Sequence, residues 1–349
     1  MVLALGCVIQ DCSYYYNNSY FIEPIAFPVL LNIHFATVLL CAASFIVITY
    51  VDRRLPSRSP AILKSGIHKI LSIAFPIISV LSIYAAFSQE IAHFFNMAYA
   101  DSAVKVTPKG QSTILEISDE YLPQYKQVWH TIYTLFFVTL LYFANKFFFK
   151  NKVLNTAIFI AFCVAIAGFL LSGLPALSFI SAKHTTTTWA AYFKPAAEQI
   201  YLRYSAFALV GIALWLAGKT ILKSMITEKV ELAFEIFTHF VMLVLLSNEL
   251  IKWQGNANAD EPFSLGISIL WGCYAVMLIG LGIWKKKKHL RFTAIILFAI
   301  TLLKLFLYDL ENLSTIAKTI VFVCLGVLLL LISFLYNKFK YVITNDIEK

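Results

Sequence analysis

Long apolar runs separated by short polar breaks dominate the chain from Ile25 onward. Nine of the runs reach the length of about 20 residues that a helix needs to cross a hydrocarbon layer about 30 Å thick. They cover approximately Ile25–Tyr50, Ile67–Ala92, Val128–Phe149, Val153–Ile180, Ile200–Leu222, Val230–Ile251, Phe263–Trp284, Leu290–Tyr308 and Ile316–Tyr336. Lipid offers no water to unpaired backbone groups, so runs of this length predict helices. Pro76 predicts a kink in the second span, because it removes a backbone donor and crowds the preceding turn. Gly173 and Pro175 predict a break near the end of the fourth. The longest polar break, residues 97–127, holds two alternating stretches, Val104–Thr107 and Thr113–Ile117. They flank Thr107-Pro108-Lys109-Gly110, a type I turn signal, and together they predict a small β-hairpin.

Composition agrees with this pattern and narrows it. Of 349 residues, 60% are apolar and 13% charged, with a mean hydropathy of +0.77. A soluble domain has about 45–50% apolar and about 25% charged residues. A soluble enzyme, a nucleic-acid binder and a disordered chain are excluded as the main reading. The fold class is therefore all-α, a polytopic transmembrane bundle of about nine helices. Four of the six cysteines (Cys41, Cys163, Cys273, Cys324) lie in apolar runs, where cysteine behaves as a small hydrophobe. Cys7 and Cys12 are close enough to form an external disulfide.

The net charge of +9 reports topology. Alternate polar breaks, together with the C-terminal tail, hold nineteen of the 28 basic residues. These include Arg53, Arg54, Lys150 and Lys152, and the run Lys285–Lys288 with Arg291. The positive-inside bias puts this set in the cytoplasm. Nine spans then place the N-terminus outside, the C-terminus inside and loop 97–127 on the outer face. The tetralysine run reads as a topology anchor at a short cytoplasmic turn. Met1–Gln10 is apolar but too short to span and lacks the basic flank of a signal peptide. The expectation is that residues 1–349 form one integral membrane domain, the C-terminal portion of a longer polytopic protein.

Ionisable groups inside spans are costly in lipid and are the best functional pointers here. At roughly 100° per residue, Glu228, Glu231, Glu235, His239 and Glu249 fall within an arc about 80° wide on the sixth span. Such a stripe should face the bundle interior. It is a candidate polar seam, read either as a proton or cation path through Glu235 and His239, or as charge pairing with the fifth span. In the second case Lys219 and Lys223 would oppose Glu228 and Glu231, and Arg203 would oppose Glu249. A second candidate cluster, Arg203, Lys304, Asp309 and His130, lies at the outer ends of spans. It could form a pocket for an anionic or lipid-linked small substrate. Glu90 and His93 make a single Glu-x-x-His pair, whereas a di-iron bundle needs two copies and two further glutamates. Neither a metal site nor a cofactor is expected, since no phosphate loop, dinucleotide fingerprint or nucleophile elbow is present.

The C-terminal third is the most patterned. It reads Ser264-Leu-Gly-Ile-Ser-Ile-Leu-Trp271-Gly-Cys-Tyr274, Gly280-Leu-Gly282, a basic turn with Arg291, and Thr301-Leu-Leu-Lys304-Leu-Phe-Leu-Tyr-Asp309-Leu. This resembles the end of an uncharacterised bacterial family of large membrane proteins, DUF2339, most clearly over Asn248–Tyr336. Leu202-Arg203-Tyr204 and the stretch from Pro28 to Phe35 are weaker matches. The resemblance implies a bacterial inner-membrane protein and carries no reaction with it. Two functional expectations follow. One is an envelope-associated transport or scaffold protein with the polar seam on its sixth span. The other is a membrane glycosyl- or acyl-transferase acting on a lipid-linked substrate at the outer face, with Asp101, Asp119 and Glu120 as its loop acids. The bilayer itself is the expected partner, and no nucleic acid is.

Overall fold

In the computed structural model the described residues are 28–54, 66–107, 115–181, 193, 199–221, 228–256 and 264–305, with Gly6 and scattered positions between 307 and 334. The apolar runs fold as helices: α1 (Ile33–Arg54), α2 (Gly66–Asp101), α3 (Tyr121–Ala144), α4 (Lys152–Gly168), α5 (Leu174–Ser181), α6 (Gln199–Ile221), α7 (Glu228–Asn256), α8 (Ser264–Trp284) and α9 (Lys288–Lys304). A π turn, Phe169–Gly173, joins α4 to α5, and a second, Asn145–Phe149, extends α3. Among the described residues, with α4 and α5 counted as one rod, seven helices are long and apolar enough to cross a membrane. Large apolar side chains project from them unburied, among them Leu81, Leu140, Leu171 and Phe292. Such a surface is suited to lipid and would be costly in water. The helix α9, with 17 residues, covers most of the eighth predicted span. In the ninth, the described positions, scattered between 316 and 334, are helical.

Local chemistry explains where the elements start, bend and stop. The predicted hairpin is present: β1 (Val104–Val106) pairs antiparallel with β2 (Leu115–Ile117), in the register Val104 opposite Ile117. The Asp119 backbone N–H donates to Ser102 Oγ at 2.9 Å, and Asp119 Oδ1 accepts the Tyr121 N–H at 2.9 Å, which seats the start of α3. Burial raises the Asp119 carboxyl above its ordinary range, against the lowering pull of that N–H. Pro76 lies inside α2, which continues as α-helix through it for 36 residues, about 54 Å, longer than the hydrocarbon layer. The expected break near Gly173 is realised as the π turn.

The chain divides into two compact units: Met1–Asn151 with Ile160–Ala213, and Lys152–Phe159 with Leu214–Lys349. In the first, α1 packs on α2, α2 on α3, and α3 on α5 and its π turn. Phe45, Ala86, Leu135, Phe162, Phe169 and Ile180 are fully buried there. Polar links reinforce the helix contacts. Tyr84 and Thr134 hydroxyls lie 2.9 Å apart, Ser88 Oγ meets His130 Nδ1 at 3.1 Å, and Ser79 Oγ donates to the Ala42 carbonyl at 3.2 Å. Without a hydrophobic driving force between helices in lipid, such bonds and close packing set the association. In the second unit, α7, α8 and α9 enclose Leu243, Tyr274, Leu278, Ile279, Leu290 and Ala294.

The π turn approaches α3 closely because Gly173 has no side chain. A Cβ there would lie 2.7 Å from Thr131 Oγ1 and 2.8 Å from Phe169 Cδ2, whereas one at Gly168 would meet nothing within 4 Å. Gly173→Ala is therefore expected to cost about 1–3 kcal/mol of stability by overpacking. Gly168→Ala should be neutral or stabilising. Thermal unfolding of both variants in detergent checks the contrast, and equal effects would contradict it.

Candidate functional site

Helix α1 begins where Asn32 can cap it. Asn32 Oδ1 accepts the Phe35 N–H at 2.7 Å, the standard side-chain satisfaction of an orphan helix donor. The other end of the same amide reaches across the fold, as Asn32 Nδ2 donates to Glu90 Oε1 at 2.7 Å. The second carboxylate oxygen, Glu90 Oε2, accepts the Leu30 backbone N–H at 2.8 Å. Leu30 holds a left-handed backbone, φ 64°, which a leucine adopts only at a cost. Glu90 therefore ties the entry of α1 to α2 across about sixty residues of sequence. It is 2% exposed, and His93, one turn on, is 1% exposed.

Beside this clasp lies a cavity of about 920 Å³. Its wall is built from the Val29–Leu30 entry, the C-terminal half of α2 around Phe87 and Phe94, the start of α3 around Trp129, and the start of α6 around Tyr201. Among the described residues Glu90 is the one charged residue on that wall, which is otherwise mostly apolar and aromatic. Sites of this size and lining hold small apolar or amphiphilic molecules.

The residues expected to form the seam behave differently along α7. Glu228 and Glu231 are exposed, and Glu249 is half-buried. Glu235 is anchored at two points: its Oε2 lies 2.7 Å from Lys287 Nζ and 2.6 Å from His289 Nε2. His239 instead meets the Tyr274 hydroxyl, 3.0 Å from Nδ1. The middle pair of the stripe thus has separate partners, Glu235 on the α8–α9 turn with its following helix start, and His239 on α8. Lys219 lies over the Trp215 ring at 3.5 Å, and Lys223 lies outside the described residues.

Of the expected outer-face cluster, His130 is half-buried and bonded to Ser88 in the first unit. Arg203, also there, is 1% exposed, with its guanidinium 5.3 Å from the centre of the Phe207 ring. Lys304 belongs to the second unit, where its Nζ donates to Ser268 Oγ at 2.9 Å. Asp309 lies outside the described residues. Of the three loop acids, Asp101 and Glu120 are exposed, and Asp119 is occupied with the start of α3.

The family model described as a predicted membrane protein, DUF2339, matches residues 3–339. The chain belongs to the DUF2339 family. The match extends well beyond the C-terminal third that carries the resemblance in the sequence, and it takes in both the clasp and the α7 anchor. No curated protein and no solved structure matches this DUF2339 chain.

Two elements escaped sequence reasoning. Glu90 carries the right signal, an acid inside an apolar span, but an acid with a histidine at i+3 is equally the pattern of a metal pair. The basic turn predicts an anchor for topology, and in the structure Lys287 is also a partner to Glu235. A hydrogen bond to a charged group contributes about 1.5–3 kcal/mol. A double-mutant cycle of Glu235→Gln and His289→Ala, read by detergent unfolding, should show coupling of about 1 kcal/mol or more. Additive effects would remove Glu235 as the anchor.

Proposed function

We propose that this DUF2339 protein is an envelope-associated carrier or scaffold that receives a lipid-type amphiphile in the cavity beside Glu90. The observation that carries the reading is the cavity itself, about 920 Å³ of mostly apolar and aromatic wall with one buried carboxylate. An apolar tail would gain roughly 25 cal/mol per Å² of buried surface against water, and less against lipid. Selectivity would therefore come from the polar end. The inner membrane is the compartment that the positive-inside bias and the family resemblance favour.

The anchored Glu235 supports the scaffold side of this reading. A carboxylate held by a lysine and a histidine at 2.7 and 2.6 Å is suited to fixing the α8–α9 turn against α7. A transferase reading has less support, because Asp119 is engaged in seating α3 and Asp101 and Glu120 are exposed.

Ser205 lines the cavity from α6 and is itself exposed, so a large side chain there should fill the space without disturbing the core. Native mass spectrometry of the purified full chain should show a retained lipid-type molecule, and Ser205→Trp should lose most of it at unchanged folding. An identical adduct pattern in both, or none in the parent, would sink the proposal.

A further inference from the structure

We infer that the α8–α9 turn binds the phosphate of an anionic membrane lipid, with Arg291 and Lys286 as its contacts. The site lies in the second unit and is independent of the cavity beside Glu90. The turn closes α8 in a common way. The Lys286 N–H donates to the Ile283 carbonyl at 3.2 Å, and the Lys287 N–H donates to the Gly282 carbonyl at 2.9 Å. Such a closure needs a left-handed residue, usually glycine, and here it is Lys286 with φ 55°. Glycine would hold that backbone with less strain. What the lysine adds is an exposed ammonium.

Helix α9 then begins with cations at its positive pole. Lys287 at the cap makes no side-chain cap bond, and the first turn holds no acid. The first N–H groups of a helix lack intrahelical acceptors and favour anions, so Lys288, His289 and Arg291 are the unfavourable choice there. Glu235 from α7 answers Lys287 and His289. Among the described residues no acid meets Lys285, Lys286 or Arg291.

Arg291 is the observation that calls for a ligand. It is 8% exposed, and its Nη1, closed off from solvent, has no hydrogen-bond partner among the described residues. A buried guanidinium nitrogen without an acceptor is costly. The Arg291 stem rests on Gly282, its Cγ 2.7 Å from where a Cβ would stand. Helical side chains lean back toward the start of their helix, which aims this guanidinium at the turn. A planar fork next to exposed ammonium groups matches the oxygens of a phosphate. Trp284, 81% exposed, ends α8 beside the turn, and Phe292 is exposed next to Arg291. Aromatic side chains of this kind mark the level of lipid headgroups, and the positive-inside bias puts the turn on the leaflet that faces the cytoplasm.

The test reconstitutes the full chain in vesicles in which either phosphatidylglycerol or phosphatidylcholine carries bromine on its tails. Bromine quenches tryptophan on contact, and the part of the quenching that disappears in Trp284→Phe reports on the turn. Phosphatidylglycerol should be preferred there by about tenfold. Arg291→Lys keeps the charge but loses the fork, so it should cut the preference about threefold, whereas diffuse attraction to a basic surface would leave it unchanged. Lys286→Gly removes a charge and relieves the backbone. It should cut the preference about fivefold while the thermal unfolding midpoint in detergent stays the same or rises. Inorganic phosphate added at matched ionic strength should leave the quenching as it is. Equal quenching by the two lipids, a preference that survives both substitutions, or release of the lipid by inorganic phosphate would each overturn the assignment.

Discussion

A buried carboxylate in a low-dielectric interior is tolerated only when its oxygens are bonded. In this protein Glu90 turns that requirement into structure. Its two oxygens hold the Leu30 N–H and the Asn32 amide, Asn32 caps α1, and Leu30 is kept in a left-handed backbone that it would not hold alone. The cavity wall depends on that set of bonds, since Val29 and Leu30 border it on one side and Glu90 with its α2 neighbours on the other. The polar bonds that carry α2 onto α3, through Tyr84, Ser88 and Lys126, extend the same scheme along the helix.

The second unit applies the rule at Glu235. There the acid is met by a lysine and a histidine from the end of the α8–α9 turn and the first residues of α9, and the turn itself is shaped to deliver them. Lys286 takes the left-handed conformation, φ 55°, and the Lys287 N–H bonds back to the Gly282 carbonyl at 2.9 Å. Gly282 also leaves room for Arg291, whose Cγ would lie 2.7 Å from a Cβ at that position. The basic turn thus combines a topological charge with a specific contact, and neither role requires the other.

Much of the architecture was legible in the chain. Apolar run lengths located the helices, because lipid leaves the backbone few alternatives, and alternation with a Pro-Gly turn located the β1–β2 hairpin. Helix starts were less legible. The first run begins at Ile25, yet α1 starts at Ile33, because Asn32 has a capping partner that pattern alone does not show. Helical periodicity sets the α7 stripe on one arc, but it says nothing about partners. Glu235 and His239 share a face and still bond to different groups, and Lys287 lies 52 positions from the acid it meets. The cavity was invisible for the same reason: it is assembled from the ends of three helices and an irregular entry, and its residues are ordinary apolar ones in sequence.

The proposed function requires that the cavity beside Glu90 be occupied in the membrane. Electron cryomicroscopy of the full chain in native-lipid nanodiscs tests this most directly. The account predicts elongated non-protein density within the cavity, its head next to the Glu90 carboxylate and its tail along the aromatic wall. A cavity closed by rearranged side chains, with Glu90 bonded only to protein groups and no density beside it, would contradict it.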